Sequence, residues 1–250
     1  MSSPTALPAL SDHVPVRCSA CGASALSNVG DKDFAYSCND HFEGRAQFPV
    51  AHAAVPYLRC TACQFTFTAA MDGWQPQDFR NHIYNSDYTL ADPVFVDVRP
   101  QRNSQMVAAM WNRALQHTVV LDYGGGDGAF AQRMQAMGHR CHTVDPFHGE
   151  DTSELLPSYD LITCFEVIEH VPHADLDAWL AGLLGHLSPT GTVLISTELL
   201  DADLSLDNWY IAPRNGHISL HTTASLTALV ARHGLSLYSI NHEMHVLRRR

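Results

Sequence analysis

The chain has 250 residues with 46% hydrophobic and 16% charged side chains, a composition that suits a globular protein with a sizeable core and excludes a disordered chain. Its formal net charge of −11 argues against a nucleic-acid partner, because phosphate binding depends on clustered Lys and Arg side chains. No apolar run approaches the roughly 20 residues that span a bilayer, and no signal pattern precedes the first motif, so we expect a cytoplasmic protein without a membrane partner.

Two C-x-x-C pairs, Cys18-Ser-Ala-Cys21 and Cys60-Thr-Ala-Cys63, follow a lead-in over residues 1–16 that lacks periodicity and is expected to be flexible. Four thiolates at tetrahedral spacing hold Zn²⁺ and order a segment that is too small to build its own core. The pairs therefore predict a structural zinc site, while a redox C-x-x-C and buried structural cysteines stay open as alternatives. The long interval between the pairs predicts an insertion with its own strands. The remaining cysteines are interpreted as core or loop residues: Cys38, Cys141 and Cys164.

Aromatic and polar residues dominate positions 65–100, which we interpret as a helical connection that covers a ligand site. A helix is predicted over residues 101–116, because Met106, Met110 and Ala114 share one face. This helix leads into a short apolar strand.

The stretch from Val119 to Asp145 has the pattern of a strand, a glycine loop, a helix and a second strand. A short apolar run of the kind found in buried parallel strands ends at four glycines, at positions 124, 125, 126 and 128. Phe130, Met134 and Met137 then recur on one helix face, and Gly138 suits a helix C-cap. A second strand over 141–144 ends on an acid, so the stretch predicts a cofactor site.

Two classes of cofactor fit this loop. Gly124-x-Gly126-x-x-Ala129, with an acid about 20 residues on, matches the dinucleotide fingerprint and keeps an NAD(P)-dependent Rossmann enzyme as an alternative. Asp122 favours the other class, because a carboxylate just ahead of the glycines would be costly beside a pyrophosphate but suits the cationic S-adenosylmethionine. With Asp122, Gly124, Gly126 and Gly128 the chain resembles the class I S-adenosylmethionine-dependent methyltransferases. The resemblance implies that this loop binds the cofactor and that Asp145 binds its ribose hydroxyls.

Strands and helices continue to alternate after the second acid, although the segment 146–158 is too short for a full helix and third strand. Strands are predicted over Tyr159–Phe165, 192–197, 235–240 and 243–247, and helices over 174–187 and from Thr222 or Thr223 to Gly234. This order, together with the resemblance, implies an α/β fold. We expect a Rossmann-like class I methyltransferase sheet, mostly parallel with an antiparallel last strand, and a small N-terminal zinc-ribbon-like segment.

Candidate site residues follow the strand that ends at Phe165. Ligands of open α/β sheets bind at the carboxyl ends of the strands. Phe165 and Glu166 are therefore expected to contact the cofactor. Methyl transfer from a sulfonium needs positioning and, for many acceptors, a base that takes a proton. The candidates for catalysis are Glu166, His170, His217 and His221, the last two within a polar and aromatic loop over 209–221 that is interpreted as an acceptor lid.

Two further resemblances carry expectations. Tyr84-Asn-Ser-Asp-Tyr88 resembles the lead-in of small-molecule methyltransferases with an N-terminal zinc motif, which implies that a tyrosine here caps the methionine end of the cofactor. The alternative is that both tyrosines pack a domain junction. Glu166-x-x-Glu169-His170 with a downstream histidine resembles the divalent-metal site of some O-methyltransferases, which implies a catalytic divalent cation. The same block also occurs in relatives without a metal.

We therefore expect an enzyme that transfers a methyl group from S-adenosylmethionine to a small-molecule acceptor, such as a sugar or another metabolite. The expected division of the chain is a lead-in over 1–16, a zinc-binding segment over 17–83 and a methyltransferase domain over 84–250. Alternatives are the NAD(P)-dependent enzyme and a non-catalytic module that displays a zinc-bearing interaction surface. The sequence leaves the methylated atom and the oligomeric state open.

Overall fold

The computed structural model describes residues 7–111, 114–147, 155–201 and 205–250. The strands are β1 (Leu26–Asp33), β2 (Ala54–Cys60), β3 (Thr66–Phe67), β4 (Val119–Tyr123), β5 (Arg140–Val144), β6 (Tyr159–Phe165), β7 (Leu187–Ser196), β8 (Ser219–Leu220), β9 (Leu235–Ser239) and β10 (Met244–Arg249). The α-helices are α1 (Cys38–Glu43), α2 (Pro76–His82), α3 (Tyr88–Ala91), α4 (Val98–Trp111), α5 (Ala129–Ala136), α6 (Leu176–Gly185) and α7 (Thr223–Arg232).

The chain forms two compact units, each assembled from three segments. We call the first the cysteine unit; it comprises Met1–Pro93, Ile168–Leu176 and Leu199–Ser225. We call the second the glycine-loop unit; it comprises Val94–Val167, Asp177–Glu198 and Leu226–Arg250. The units thus combine residues that are distant in sequence, whereas the domains expected from the sequence are contiguous. Of the expected lead-in, residues 1–6 lie outside the described part, and the backbone N–H of Ser11 donates to the carbonyl of Ala70 at 2.8 Å.

A six-stranded sheet in the order β5-β4-β6-β7-β10-β9 forms the centre of the glycine-loop unit. The first four strands are parallel, and β10 runs antiparallel to both β7 and β9. The predicted fold class, a mostly parallel sheet with an antiparallel last strand, is confirmed. The described part of the segment between β5 and β6 contains no strand, as the shortness of 146–158 predicts, and residues 148–154 lie outside the described part.

Apolar side chains of the strands and of α4 and α5 form the core of this unit. Val120 on β4 and Val107 on α4 are fully buried, and Phe130 and Met134 on α5 pack in the same cluster. Met137, which was predicted on that helix face, is 41% exposed because α5 ends at Ala136. The helix stops there as predicted, with Gly138 in the left-handed region at φ +85°.

Strand β7 begins earlier than the sequence indicates. Residues 187–191 were predicted as the end of a helix and a turn, because Pro189 and Gly191 are breakers, yet Leu187 already pairs with Tyr159 on β6. The register between β6 and β7 shifts just after this pair. A Cβ atom at Gly191 would lie 2.9 Å from the carbonyl oxygen of Tyr159, so the glycine allows the close approach of the backbones at the irregularity.

The cysteine unit contains a four-stranded antiparallel sheet in the order β1-β2-β3-β8. Strands β1 and β2 lie between the two cysteine pairs, so the predicted insertion with its own strands is present. The predicted loop over 209–221 is mostly irregular, but it contains a two-residue strand, because Thr66 and Phe67 of β3 pair with the two residues of β8. All residues from Tyr210 to Thr222 are buried in this unit. Such a short strand leaves no periodic pattern that sequence reasoning could detect.

Within the described ranges, no helix combines the length and the apolar character needed to cross a membrane.

Candidate active site

The glycine loop follows β4, and Gly125 in this loop lies against the carboxylate of Asp122. Gly124, Gly126 and Gly128 adopt the left-handed region at φ +80°, +59° and +80°, which is strained for any residue with a Cβ. Gly125 is constrained differently, because a Cβ atom there would lie 2.0 Å from Oδ2 of Asp122 and 2.3 Å from Oγ1 of Thr143. Each of the four positions therefore requires glycine, either because of its φ angle or because the Asp122 carboxylate lies too close for a Cβ.

Asp122 lies on β4, the strand between β5 and β6, and is 2% exposed. Its Oδ1 accepts a hydrogen bond of 3.2 Å from Oγ1 of Thr163, and among the described residues its Oδ2 has no partner. Burial raises the pKa of Asp122 to about 7, with a smaller contribution from the negative charge of Asp145. A bound cation would stabilise the ionised form of this carboxylate, and a bound pyrophosphate would repel it.

Asp145 follows the end of β5 and joins that end to the glycine loop. Its Oδ2 accepts from the backbone N–H of Gly126 at 2.9 Å, and its Oδ1 accepts from the N–H of Phe147 at 2.7 Å. Carboxylate oxygens accept hydrogen bonds, and the two hydroxyl groups of a ribose are donors that suit such a pair of acceptors. The two predicted acids of the cofactor site thus flank one loop in the structure.

Glu166 lies just beyond the end of β6 with a left-handed φ of +55°, a conformation that costs a residue with a side chain roughly 1–2 kcal/mol. Its backbone N–H donates to the carbonyl and the hydroxyl of Ser196, at 3.1 and 3.0 Å, and the Ser196 hydroxyl donates to Oε1 of Glu166 at 2.6 Å. Phe165 is partly buried with its ring 5.4 Å from that of Phe130. Strain of this kind concentrates at functional sites, so it supports a role for Glu166.

The four predicted zinc ligands come together in the cysteine unit. The Sγ atoms of Cys18 and Cys63 are 3.6 Å apart, those of Cys21 and Cys60 are also 3.6 Å apart, and all four lie within 4.8 Å of one another. In a tetrahedral zinc site with Zn–S bonds of about 2.3 Å, neighbouring sulfurs are roughly 3.8 Å apart. The sulfur positions therefore fit Zn²⁺, and a hydrogen bond from the Cys63 thiol lowers the pKa of Cys18.

The two C-x-x-C turns share one backbone conformation. The residue after each second cysteine is left-handed, Gly22 at φ +81° and Gln64 at φ +61°. The N–H groups of these residues donate to the carbonyls of Cys18 and Cys60, at 2.7 and 2.8 Å. The left-handed backbone is unstrained at Gly22, which has no Cβ, and strained at Gln64 in the second turn.

A second group of potential ligands lies in the same unit, and its members are Glu169, His170 and His217. One ligand atom from each lies within 4.8 Å of the others. Glu169 is completely buried, and its Oε1 accepts from the hydroxyl of Tyr210 at 3.0 Å. Nε2 of His170 lies 3.9 Å from the same carboxylate oxygen.

Backbone carbonyls set the tautomers of both histidines. Nδ1 of His170 lies 3.1 Å from the carbonyl oxygen of Gly216, and Nδ1 of His217 lies 3.0 Å from that of Tyr210. A carbonyl only accepts, so we assign the proton to Nδ1 in each ring. Each Nε2 then carries a lone pair that can accept a proton or bind a cation.

A model of the family described as methyltransferase domain matches residues 95–240, which is more than half of the chain. The chain belongs to the methyltransferase domain family. Curated relatives of this methyltransferase domain protein include the ubiquinone biosynthesis O-methyltransferase of Rickettsia akari (strain Hartford). The two sequences are 29% identical over 115 residues, and the match covers 37% of this chain and 45% of that protein. The enzyme of the same name in Rickettsia felis (strain ATCC VR-1525 / URRWXCal2) is 30% identical over 100 residues, covering 31% and 40%. The chain thus spans less than half the length of these relatives.

A solved structure shows the same fold as this methyltransferase domain protein. It is the 1,6-didemethyltoxoflavin-N1-methyltransferase of Burkholderia thailandensis with bound 1,6-didemethyltoxoflavin and S-adenosylhomocysteine. The TM-score is 0.50 at 18% identity, and the match covers 77% of this chain and 99% of that chain. The predicted resemblance to methyltransferases is confirmed, and the family match favours it over the NAD(P)-dependent alternative.

The predicted site residues of the methyltransferase fall into two groups. The glycine-loop unit contains Asp122, Gly124, Gly126, Gly128, Asp145, Phe165 and Glu166. The cysteine unit contains the four cysteines together with Tyr84, Tyr88, His170, His217 and His221. His170 and His217 have their ring centroids 5.1 Å apart, and the ring of Tyr84 lies 6.0 Å from that of His170. The hydroxyl of Tyr88, which is buried, donates to the carbonyl of Asn215 at 3.4 Å.

His221 has different neighbours from the other two predicted catalytic histidines. It is completely buried, its ring lies 4.6 Å from that of Phe65, and its Nδ1 lies 3.1 Å from Oγ of Ser225. Thr222, the next residue, is the N-cap of α7, since its Oγ1 accepts from the N–H of Ser225 at 3.1 Å. These contacts give His221 a structural environment at the start of α7.

Sequence reasoning missed two residues near the histidine pair. Cys38, interpreted as a core or loop residue, places its Sγ 3.5 Å from Nδ1 of His217. Tyr210 donates to Glu169, and its ring centroid is 4.3 Å from that of His217. No local pattern in the sequence pairs Cys38 with a histidine that lies 179 residues away. Tyr210 lies in the aromatic stretch that the sequence analysis identified, but the sequence does not show that Tyr210 bonds Glu169.

Proposed function

We propose that this protein transfers the methyl group of S-adenosylmethionine to a hydroxyl oxygen of a small-molecule acceptor. The observation that carries the cofactor assignment is the buried carboxylate of Asp122 beneath the glycine loop, whose Oδ2 has no partner in the described part of the chain. A cationic amino acid or sulfonium group offsets the burial of this negative charge, and a pyrophosphate would add to its cost. This supports S-adenosylmethionine over a dinucleotide.

The proposed cofactor contacts follow from the positions of the acids. The glycine loop, with Gly124, Gly126 and Gly128, forms the floor of the site, and Asp145 accepts from the ribose hydroxyls. Its position after β5 and its hydrogen bond from the N–H of Gly126 in the glycine loop support this role. The remaining proposed contacts rest on the resemblance and on the end of β6: Phe165, Glu166, Tyr84 and Tyr88.

The proposed base is Nε2 of His217. As the acceptor oxygen attacks the methyl carbon, a C–O bond forms and the C–S bond breaks, so the sulfonium becomes the thioether of S-adenosylhomocysteine. The hydroxyl proton passes to Nε2 of His217, and the carbonyl of Tyr210, which accepts from Nδ1, stabilises the resulting imidazolium. Glu169, which is buried and accepts from Tyr210, has a carboxylate oxygen within 4.8 Å of a ring nitrogen of His217. O-methylation is also the activity named for the curated relatives.

The donor set of Glu169, His170 and His217 also fits a divalent cation. One carboxylate oxygen and two imidazole nitrogens lie within 4.8 Å of one another, and both Nδ1 atoms face backbone carbonyls, as they do in metal-ligating histidines. When bound, such a cation lowers the pKa of an acceptor hydroxyl. Glu166 is not part of this donor set among the described residues, so the predicted four-ligand arrangement is reduced to three.

Zinc at the four cysteines has a structural role in this proposal. The site is closed by four thiolates, which leaves no position for a substrate. The acceptor is proposed as a small molecule because the net charge of −11 disfavours nucleic acid.

Calorimetric titration tests the cofactor assignment. We expect the protein to bind S-adenosylmethionine and S-adenosylhomocysteine and to show no affinity for NAD. Asp122→Ala and Asp145→Ala should each weaken binding by roughly 1.5–3 kcal/mol, since each removes a charged hydrogen-bonding group. Asp127→Asn is the matched control, because Asp127 belongs to the same loop but is exposed and keeps its capping oxygen in the variant. Equal affinity for S-adenosylmethionine in both alanine variants and the control would refute the assignment.

Methyl transfer itself separates the enzyme from a non-catalytic zinc-bearing module. Incubation with labelled S-adenosylmethionine and a panel of phenols, sugar nucleotides and metabolite extracts should yield a labelled product. Cofactor binding without any labelled product across the panel would favour the non-catalytic module.

A further inference from the structure

One arginine of the cysteine unit is buried without a carboxylate partner. Arg214 is 5% exposed, and among the described residues it is the only buried arginine or lysine. Its Nη1 donates to the carbonyl of Ile83 and its Nη2 donates to Oδ1 of Asn85, each at 2.9 Å. Both acceptors are neutral, and no carboxylate in the described part of the chain forms an ion pair with this guanidinium. The positive charge of Arg214 is therefore buried and uncompensated.

A buried charge without a counter-charge is unfavourable, and buried arginines are normally paired. Burial lowers the pKa of Arg214, and the nearby Tyr88 and Asp87 offset this effect only in part. By contrast, Arg133 of the glycine-loop unit has a side chain that is 35% exposed, and it pairs with Asp97 at 2.9 Å. The chain has 26 acidic residues against 15 Lys and Arg, yet the buried arginine has no acid beside it. An anionic ligand would supply the missing negative charge.

The guanidinium of Arg214 keeps donors for such a ligand in its own plane. It has five N–H groups, and within the described ranges only two acceptors bind them. Phe48 packs on the flat face, with its ring centroid 4.4 Å from Cζ, so it does not occupy the plane in which the N–H groups point. Phe48 and Asn85 are both only partly buried, so the guanidinium lies directly beneath side chains that reach the surface.

The turn that carries Arg214 also borders other candidate site residues of the same unit. Gly216 follows this turn, and a Cβ atom there would lie 3.2 Å from Nδ1 of His170. The two acceptors of the guanidinium belong to the residues on either side of Tyr84, which the resemblance assigns to the methionine end of the cofactor. A ligand bound by Arg214 would therefore lie beside residues with proposed roles in the reaction.

We propose that Arg214 binds the carboxylate group of a small-molecule ligand. A carboxylate accepts two parallel N–H bonds in the guanidinium plane, and its single negative charge balances the single positive charge. A phosphate dianion would leave an excess of negative charge, because no other arginine or lysine of the described residues is buried. Two ligands can supply the carboxylate: the acceptor, and S-adenosylmethionine through its methionine end. The identity of these ligands rests on the proposed function, whereas the preference for a carboxylate rests on Arg214.

Two matched pairs of ligands, titrated against the zinc-loaded full chain, test the proposal. The first pair is S-adenosylhomocysteine and its decarboxylated analogue, which keeps the amino group. The second pair is 4-hydroxyphenylacetate and its neutral isostere 4-hydroxyphenylacetamide, each added with S-adenosylhomocysteine present. We expect the parent protein to bind the carboxylate member of one pair roughly ten- to a hundredfold more tightly, because charge-assisted hydrogen bonds contribute that much. The pair that shows the preference identifies which ligand supplies the group.

Variants assign the preference to the guanidinium. Arg214→Gln keeps an N–H donor but removes the charge, so the two members of each pair should bind it equally. Arg214→Lys keeps the charge but loses the planar pair of donors, so a smaller preference should remain. Arg45→Gln is the matched control, because it removes the same charge at an exposed position of the same unit and should retain the full preference. Zinc content and circular dichroism equal to those of the parent protein establish that each variant is folded.

The outcomes separate this inference from the proposed function. Equal binding within both pairs by the parent protein would overturn the carboxylate site, while binding of S-adenosylhomocysteine would leave the cofactor assignment intact. A preference that persists in Arg214→Gln would also overturn the site, because another residue would then carry it. If the parent protein binds no S-adenosylhomocysteine, the cofactor assignment fails and the second pair alone decides on Arg214. If Arg214→Gln loses zinc, Arg214→Lys decides, and an undiminished preference in that variant overturns the role of the guanidinium.

Discussion

In the glycine-loop unit the proposed cofactor contacts come from one continuous stretch and from the end of the neighbouring strand, whereas in the cysteine unit each site joins residues that are far apart in the chain. Asp122 and Asp145 flank a single loop and helix. Cys18 meets Cys63 across 45 residues, and Cys38 meets His217 across 179. The first site depends on a local turn held by a sheet, and the second depends on the complete assembly of its unit.

Both units have a buried apolar core, but they differ in what ties their segments together. The glycine-loop unit packs its sheet against the helices α4 and α5. The cysteine unit also buries large apolar side chains, among them Tyr57, Phe65 and Phe67. Polar links join its distant segments, such as Nε2 of His173 to Asp72 at 2.8 Å and the hydroxyl of Thr222, which donates to the carbonyl of Cys63 at 2.7 Å. Because its four cysteines come from two distant segments, this unit should depend on its metal, and the predictions below test that contrast.

The largest effect is expected from loss of the zinc. We expect one zinc per chain in the purified protein and its loss in Cys63→Ser, because structural zinc contributes on the order of 10 kcal/mol to the folding of small domains. Hydrogen exchange should show lost protection in β1, β2, β3 and β8. Cys164→Ala is the control, as Cys164 is a buried cysteine of the other unit. Absence of zinc from the parent protein, with freely titratable thiols at all four positions, would contradict the prediction.

The next effect concerns the proposed base. His217→Gln should lower turnover by about a hundredfold or more and leave the affinity for S-adenosylmethionine unchanged, because removal of a general base typically costs roughly 10²–10⁴ in rate. His221→Gln should have a smaller effect on turnover, given its buried contacts with Phe65 and Ser225. His117→Gln, at an exposed position, is the control.

Treatment with a chelator distinguishes two possible roles of His217, a general base and a ligand of a cation. If a cation is bound, EDTA should abolish activity, Mg²⁺ or Mn²⁺ should restore it, and Glu169→Gln and His170→Gln should be as damaging as His217→Gln. Zinc content must be followed in parallel, so that loss of the four-cysteine site is not mistaken for loss of a catalytic cation. Full activity of His217→Gln both with and without EDTA would refute both roles.

A smaller effect is expected in the glycine loop. Gly125→Ala should weaken S-adenosylmethionine binding by about ten- to a hundredfold, since the new Cβ would overlap Oδ2 of Asp122 and such overpacking costs roughly 1–3 kcal/mol. Gly185→Ala is the matched control, because a Cβ there meets no atom within 4 Å. Unchanged affinity in Gly125→Ala would show that the loop rearranges freely around the carboxylate.

The pH dependence of cofactor binding follows from the pKa of Asp122, which burial raises from 3.8 to about 7. The folded apo protein holds a proton on Asp122 that the unfolded chain releases near pH 4, so this stabilisation is lost as the pH rises through about 7. A cationic ligand prefers the ionised carboxylate, so affinity should rise by up to about tenfold per unit as the pH increases towards 7. Calorimetry in two buffers of different ionisation enthalpy should detect proton release on binding. The same pH slope in Asp122→Asn would assign the effect to another group.

The smallest effect distinguishes two of the residues with a left-handed φ, Gln64 and Glu166. Gln64→Gly should stabilise the protein by about 0.5–1 kcal/mol, because glycine accepts φ +61° without the clash of a Cβ, and activity should not change. Glu166 has a similar φ of +55° but bonds Ser196 through its side chain, so Glu166→Gly should lower activity despite the same relief of strain. Thermal unfolding and turnover of both variants provide the measurement. Full activity of Glu166→Gly would contradict the functional role that the left-handed φ of Glu166 supports.

Sequence alone was sufficient for most of the glycine-loop unit because its signals are local. A strand of alternating or continuous apolar residues, a glycine loop and a helix face each occupy fewer than 15 residues, and strand β6 was predicted with its observed limits. The errors there occurred where a tertiary contact overrides a local preference. Pro189 and Gly191 indicate a turn, yet pairing with β6 extends the strand through them.

In the cysteine unit the sequence determined the ligand types, and the tertiary structure decided which residues meet. The C-x-x-C spacing identified the four sulfurs, because each pair lies within one turn of chain. Nothing local could show that residues 219–220 pair with β3, that Cys38 lies against His217, or that Phe42 lies against Trp209. Such contacts depend on loop closure over tens to hundreds of residues, and their free energy comes from the folded unit as a whole.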